Sequence, residues 1–243
     1  MLTGDKVETA TSISISSGLK SRKNQLFFMR ELSRAEDIYE KIETFTRHAT
    51  NCCLIIDGKT LSTIMSDENL KLAFFAQAMR APCVCICRCS PTQKADVTKL
   101  MRTLTGGKRI CGIGDGGNDV GMILEADCGV GIEGKEGMQA SLAADYSLKE
   151  FGQLKKLILW HGRLSYRRSA VLAQFVFHRG LIISIIQAFF TVMFYFVAIP
   201  VYNGYLMLGY STIYTNLPIF SLVFDEDADV DSVLQFPPLY KSL

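Results

Sequence analysis

Over roughly the first 150 positions, short apolar blocks alternate with longer stretches in which apolar and charged residues mix at helical spacing. Cys52-Cys53-Leu54-Ile55-Ile56 runs into Asp57-Gly58 and predicts a buried strand followed by a turn. Cys83 to Cys89 predicts the next strand, Lys108 to Ile113 a third and Cys128 to Ile132 a short fourth. Between them the pattern predicts helices over Leu70 to Met79, ended by Pro82, and over Asp119 to Ala126. A helix over Pro91 to Leu104 is expected to take Ser90 as its cap and Pro91 as its first residue. Arg34 to His48 carries helical charges, and residues 6–34 read as a helix start near Val7 followed by a polar surface stretch. Strand alternating with helix predicts an α/β fold with a parallel sheet and right-handed crossovers.

From Phe151 the pattern changes to one long helix, basic at first through Lys155, Lys156, Arg163, Arg167 and Arg168. Gly180 to Ile199 then holds no formal charge, about 30 Å of helix and enough to cross a bilayer. Pro200 to Gly204 predicts a tight turn, and Tyr205 to Phe224 a second span. The expected organisation is therefore an α/β part over residues 1–150, and over 151–243 a basic helix with two spans at about 171–199 and 205–224. Basic residues precede the first span and none lies in the turn, so both chain ends are expected in the cytosol.

Charge sharpens this division. Lys plus Arg number 26 and Asp plus Glu 24, too balanced for a nucleic-acid binder. Residues 171–224 carry one formal charge, Arg179, and five acids follow at Asp225, Glu226, Asp227, Asp229 and Asp231. Arg179 is expected to snorkel to the membrane interface. With 49% hydrophobic and 21% charged residues the chain is not disordered. Eight cysteines all lie outside the apolar spans. Cys83, Cys85, Cys87 and Cys89 alternate along one predicted strand, so all four are expected on one face, as packing groups in a reducing compartment.

Three motifs carry candidate chemistry. Gly112-Ile113-Gly114-Asp115-Gly116-Gly117-Asn118-Asp119 also satisfies G-x-G-x-x-G, but its carboxylates would repel a pyrophosphate. Hard oxygen donors at a strand's C-terminal end suit a hydrated Mg²⁺ instead, held by Asp115 and Asp119. Lys94, in the first turn of the helix after Ser90, and Arg88, at the end of the preceding strand, would form an anion site. Thr3-Gly4-Asp5 supplies a hydroxyl and an amide suited to phosphate oxygens. This is equipment for phosphoryl transfer that lacks a nucleophile. Asp57, at the end of an apolar strand, is a rival nucleophile, which would make the chain a small membrane-tethered phosphatase. A non-catalytic regulatory module is the other alternative.

With these residues in view, the sequence resembles the P-type ATPases, whose phosphorylation domain has the haloacid-dehalogenase-like (Rossmannoid) fold. MLTGDKVETA looks like the family's TGD turn, Thr92-Gln93-Lys94 like its lysine segment, and Gly114 to Asp119 like its GDGxND magnesium turn. LIIDGKTL, CRCSPTQKADV, GDGGNDVGMI, GVGIEGKEGMQASLAADYS and HGRLSYRRSA narrow the resemblance to the type IV branch, the phospholipid flippases. FVFHRGLIIS and YSTIYTNLPIFSLVFDEDAD look most like the subgroup that works without an accessory glycoprotein subunit, on Golgi or endosomal membranes or the plasma membrane.

The resemblance implies a partial cytosolic phosphorylation domain over residues 1–150, followed by a stalk helix and a transmembrane hairpin. It implies ATP as substrate, Mg²⁺ as cofactor, an aspartyl-phosphate intermediate and a phospholipid as cargo. Carried over, Thr3, Gly4, Asp5, Arg88, Lys94, Asn118 and Asp119 would line the ATP and phosphate site. Lys94, Asp115 and Asp119 would act in catalysis, with Asp115 and Asp119 on the metal, and His178 and Asn216 are candidates for the lipid path. The family's DKTGT motif, which holds the nucleophile, is absent, as are its actuator domain and most of its spans. The resemblance therefore implies a piece of a longer protein, inactive by itself.

Overall fold

The structure, a computed structural model, describes residues 1–134 and 137–242. Lys135 and Glu136, inside the GVGIEGKEGMQASLAADYS stretch, lie outside the described residues. The chain divides into two compact units, Met1–Lys149 and Glu150–Leu243.

The first unit is built on two three-stranded parallel sheets. One has the order β1 (Gln25–Met29), β2 (Cys52–Asp57), β3 (Cys83–Cys87). All of β2 is buried, because helices cover both faces of the sheet, which explains its unbroken apolar sequence. Its residues alternate between two cores. Cys52, Leu54 and Ile56 pack with Ile38 and Phe45 of α2 (Ala35–Thr46), Leu61 of α3 (Gly58–Ser66) and Phe74 of α4 (Glu68–Ala78). Cys53 and Ile55 face Val7 and Ala10 of α1 (Val7–Ser16). Residues Met1 to Thr3 extend this sheet beyond β3. Leu2 bridges Ile86 in parallel, the Ile86 N–H donates to the Met1 carbonyl at 2.8 Å, and the Thr3 N–H donates to the Ile86 carbonyl at 2.9 Å.

The second sheet has the order β4 (Cys111–Gly114), β5 (Cys128–Ile132), β6 (Tyr146–Leu148). No ladder joins the two sheets among the described residues. A cavity of about 480 Å³ lies between them, lined by Leu2, Ile86, Val97, Met101, Ile113 and Met122, among others. Two parallel edges thus face an apolar slot. The helix α5 (Pro91–Leu104) follows β3 and packs against α6 (Val120–Glu125), which follows β4; α7 (Gln139–Ala143) packs on β5.

Sequence pattern and structure differ at several places here. Strands β1 and β6 and helix α3 were not foreseen, since QLFFM is a brief apolar run in polar surroundings, YSL is three residues, and α3 follows β2 without a loop. Cys83, Cys85 and Cys87 do share one face with Cys53, but Cys89 joins the other core. The cause is Arg88, whose φ of 50° ends the strand and breaks the alternation. Burial pushes the Cys53 thiol up to about 12 and the Cys89 thiol up to about 11, so both stay protonated at neutral pH and act as packing groups.

In the second unit the helix α8 runs over Phe151–Met193 and includes one π-helical turn at Leu157–Gly162. It ends six residues before Ile199, where the apolar pattern had placed its end. Tyr195 and Phe196 take positive φ, and the Gln187 side chain ties the returning loop, accepting from the Val201 N–H at 2.9 Å and donating to the Ile199 carbonyl at 3.1 Å. The helix α9 covers Gly204–Phe224, with a π-helical segment at Tyr210–Tyr214 ahead of Pro218. Both α8 and α9 are long and apolar enough to cross a membrane. A short helix α10 (Val230–Gln235) follows.

Candidate functional site

The site assembles at the C-terminal ends of parallel strands, where crevices between βα loops collect ligands. Its first part is the turn Thr3-Gly4-Asp5. The Asp5 N–H donates to Thr3 Oγ1 at 3.2 Å, and Thr3 Oγ1 lies 3.0 Å from Asp5 Oδ2. Backbone bonds stitch this turn to the end of β3. The Arg88 N–H donates to the Asp5 carbonyl at 3.0 Å, and the Cys89 N–H to the Thr3 carbonyl at 2.9 Å.

The chain then enters α5 through a capping box. Ser90 Oγ accepts from the Gln93 N–H at 3.2 Å, and Gln93 Oε1 accepts from the Ser90 N–H at 2.9 Å. Gln93 Nε2 also donates to the Gly58 carbonyl at 3.0 Å and to Ser62 Oγ at 2.8 Å, so this side chain anchors α5 on α3. Lys94, only 7% exposed, reaches the other way. Its Nζ lies 2.7 Å from Asp119 Oδ1, a pair joined across 25 residues of sequence.

Asp119 lies back over β4. A Cβ on Gly114 would sit 2.3 Å from the Asp119 Cβ, so only glycine lets this carboxylate approach the strand. Asp115 and Asn118 are exposed on the same turn. Among the described residues no group of three or more His, Cys, Asp or Glu is close enough to hold a metal ion. Asp115 and Asp119 offer hard carboxylate oxygens of the kind Mg²⁺ takes, and with so few protein ligands the ion would keep several waters, as Mg²⁺ usually does. The donor chemistry of these two carboxylates fits such an ion.

Arg88 is exposed, and here its backbone rather than its side chain makes the visible contacts. Asp57 is 5% exposed, and its Oδ1 accepts from the Thr60 N–H and from the Glu31 N–H, both at 3.3 Å. It caps α3 and ties down the loop after β1. Gly58 beside it is needed for packing, because a Cβ there would sit 2.3 Å from the Arg88 carbonyl oxygen. The LIIDG segment thus has a structural role that accounts for both residues.

In the apolar hairpin His178 is exposed, and no hydrogen bond joins it to Asn216 among the described residues. The Asn216 amide donates to the Thr212 carbonyl one helical turn back. Arg179, expected to snorkel, instead crosses to the second helix. Its Nη1 donates to Thr215 Oγ1 at 2.9 Å and to the Ser211 carbonyl at 3.5 Å. A π-helical turn frees such carbonyls, and an uncompensated guanidinium between apolar helices is costly. Gln187, Arg179 and Thr215 are the polar contacts of this hairpin that pattern reading missed. Their only signal was polarity within an apolar run.

The profile described as "Phospholipid-translocating P-type ATPase C-terminal" matches residues 141–243. Over all 243 residues the chain is 50% identical to human "Probable phospholipid-transporting ATPase IIB" and 50% identical to "Phospholipid-transporting ATPase NEO1" of Saccharomyces cerevisiae, covering 21% of each. It is 38% identical to "Phospholipid-transporting ATPase 6" of Arabidopsis thaliana over 99% of the chain and 21% of that protein. The chain spans about a fifth of the length of these curated relatives. By sequence the chain is similar along its whole length to phospholipid-transporting P-type ATPases, and over residues 141–243 to their C-terminal part.

Proposed function

We propose that these residues are part of an ATP-driven phospholipid translocase that works through an aspartyl-phosphate, with a haloacid-dehalogenase-like phosphorylation domain over residues 1–150. The observation that carries this reading is the Lys94–Asp119 pair, held at the strand ends beside the Thr3-Gly4-Asp5 turn. The nucleophilic aspartate is proposed to lie on a segment outside the 243 residues. The slot between Met1–Thr3 and β4 has the lining and the two parallel edges to take one apolar strand, and its C-terminal end would emerge beside Lys94.

In this scheme the aspartate attacks the γ-phosphorus of ATP, ADP leaves, and water later releases phosphate. Lys94 donates to a phosphoryl oxygen and offsets charge there, while Thr3 and the amides of its turn orient the transferred group. Asp119 holds Lys94 in place between turnovers, and Asp115 and Asp119 would hold Mg²⁺. Bound Mg²⁺ would neutralise charge on the transferring phosphate. Asn118 and Arg88 are proposed nucleotide contacts. His178 and Asn216 remain candidates for the lipid path, with the bond from Asn216 to Thr212 favouring a structural role for the second. Action on Golgi or endosomal membranes, without an accessory glycoprotein subunit, belongs to the same proposal.

The test is phosphorylation of the protein purified from its native membrane. Incubation with Mg-ATP should give an acid-stable, hydroxylamine-sensitive phosphoenzyme that Lys94→Met strongly reduces and Asp57→Asn leaves intact in chemistry, if lower in yield. Label abolished by Asp57→Asn and retained by Lys94→Met would replace the scheme with the phosphatase reading.

A further inference from the structure

The acidic segment after α9 folds back onto the basic turns of α8. Asp227 Oδ2 lies 2.8 Å from both Nε and Nη2 of Arg163, and its other oxygen pairs with Arg167 one turn on. The side chains of Arg163 and Asp227 are each only 12% exposed. Arg168 donates to the Asp225 carbonyl through Nη2 at 3.2 Å, and Arg163 Nη1 donates to the Leu239 carbonyl. Beneath these bonds, Val233 of α10 is 1% exposed and packs beside Trp160 and Leu164, around a void that Arg163 and Asp227 also line. Trp160 lies in the π-helical turn, and its Nε1 is buried without a hydrogen-bond partner.

We propose that Asp227 is a positioning residue, the pin of a clasp that makes the two apolar helices move as one body with the basic turns of α8. Three features carry this. The pairs close a loop of chain that contains both apolar helices, since 64 positions separate Arg163 from Asp227. There is little slack, because Asp227 follows the last residue of α9, Phe224, by three positions. The fork of Arg163 on one carboxylate oxygen and the reach of Arg167 to the other fix the direction of approach as well as its distance. A displacement of α8 below Gly162 is then passed directly to the end of α9. In the translocase reading, on which this rests, that is the link by which phosphorylation chemistry would reach the lipid-moving helices.

Trp160 is the only tryptophan in the chain and reports on the clasp directly. In the 243-residue chain in lipid nanodiscs, Asp227→Asn should shift Trp160 emission to longer wavelength and raise its quenching by acrylamide. Asp227→Glu should restore both, and Asp229→Asn, in the same acidic run, should change neither. In the complete protein Asp227→Asn should lower lipid-stimulated ATP turnover roughly 2- to 30-fold, with phosphoenzyme formation from ATP retained and turnover rescued by Asp227→Glu. Unchanged Trp160 emission in Asp227→Asn would overturn the clasp. An altered Trp160 signal with undiminished lipid stimulation would overturn its role in coupling. Absence of any phosphoenzyme in the parent protein would remove the translocase reading, while the fluorescence series would still decide the clasp.

Discussion

Replacing Lys94 by methionine keeps the length and apolar stem of the side chain and deletes its charge. Asp119 would then keep a carboxylate 13% exposed, next to a helix end that no longer supplies a cation. Removing one member of a fully buried ion pair costs about 3–5 kcal/mol, and the residual hydration of Asp119 lowers this to about 2–4 kcal/mol. In a unit the size of Met1–Lys149, each kcal/mol is worth about 2–4 °C, so the first unit should melt about 4–16 °C lower. The buried thiols supply the assay. Cys53, Cys85 and Cys87 are fully buried and become reactive only when this unit opens, so a maleimide dye that fluoresces on thiol capture records its melting. Cys111, which is exposed, is first changed to serine to remove background. The double variant Lys94→Met/Asp119→Asn buries no unpaired charge and should recover at least half of the loss. A single variant melting within about 1 °C of the parent, or a double variant showing the sum of the two single losses, would refute the pairing argument.

Glycine substitutions should separate packing from ligand contact. Gly114→Ala should push Asp119 away from Lys94 and lower the melting point about as far as Lys94→Met. Gly4→Ala meets nothing within 4 Å and should leave melting unchanged, so any loss of phosphorylation would report on the phosphate. For pH, burial raises the Cys53 thiol from 9.0 to about 12 and the Cys89 thiol from 9.0 to about 11. Folding keeps these protons bound. Their contribution is therefore fully present below pH 9 and is lost as pH rises through 11 to 12, so the first unit should weaken above pH 9 in an alkaline titration. No weakening between pH 9 and 12 would mean that the thiols are not buried as described.

The alternation of strand and helix, the cap at Ser90 and the long apolar helices were all legible, because each rests on local residue order. The family resemblance put Lys94 and Asp119 in one phosphate site but not in an ion pair, since the contact spans 25 positions and depends on the bare backbone of Gly114. Asp57 illustrates the reverse. As a string it ends an apolar strand like a nucleophile, yet its oxygen is committed to the amides of Thr60 and Glu31, and Glu31 belongs to a segment read as plain surface. In the hairpin, hydropathy carried the first span to Ile199, because it does not register the bonds by which Gln187 turns the chain back.

The slot between the two sheets also bears on how the chain would behave in a cell. Two unpaired parallel edges flanking an apolar hollow can template any passing extended segment, and that is the usual beginning of misassembly. Molecules in which the slot stays open should collect holdase chaperones and associate as their concentration rises. Those in which a strand fills it should be released. An open slot of this kind would thus act as a checkpoint, letting quality control tell an unfilled molecule from a filled one.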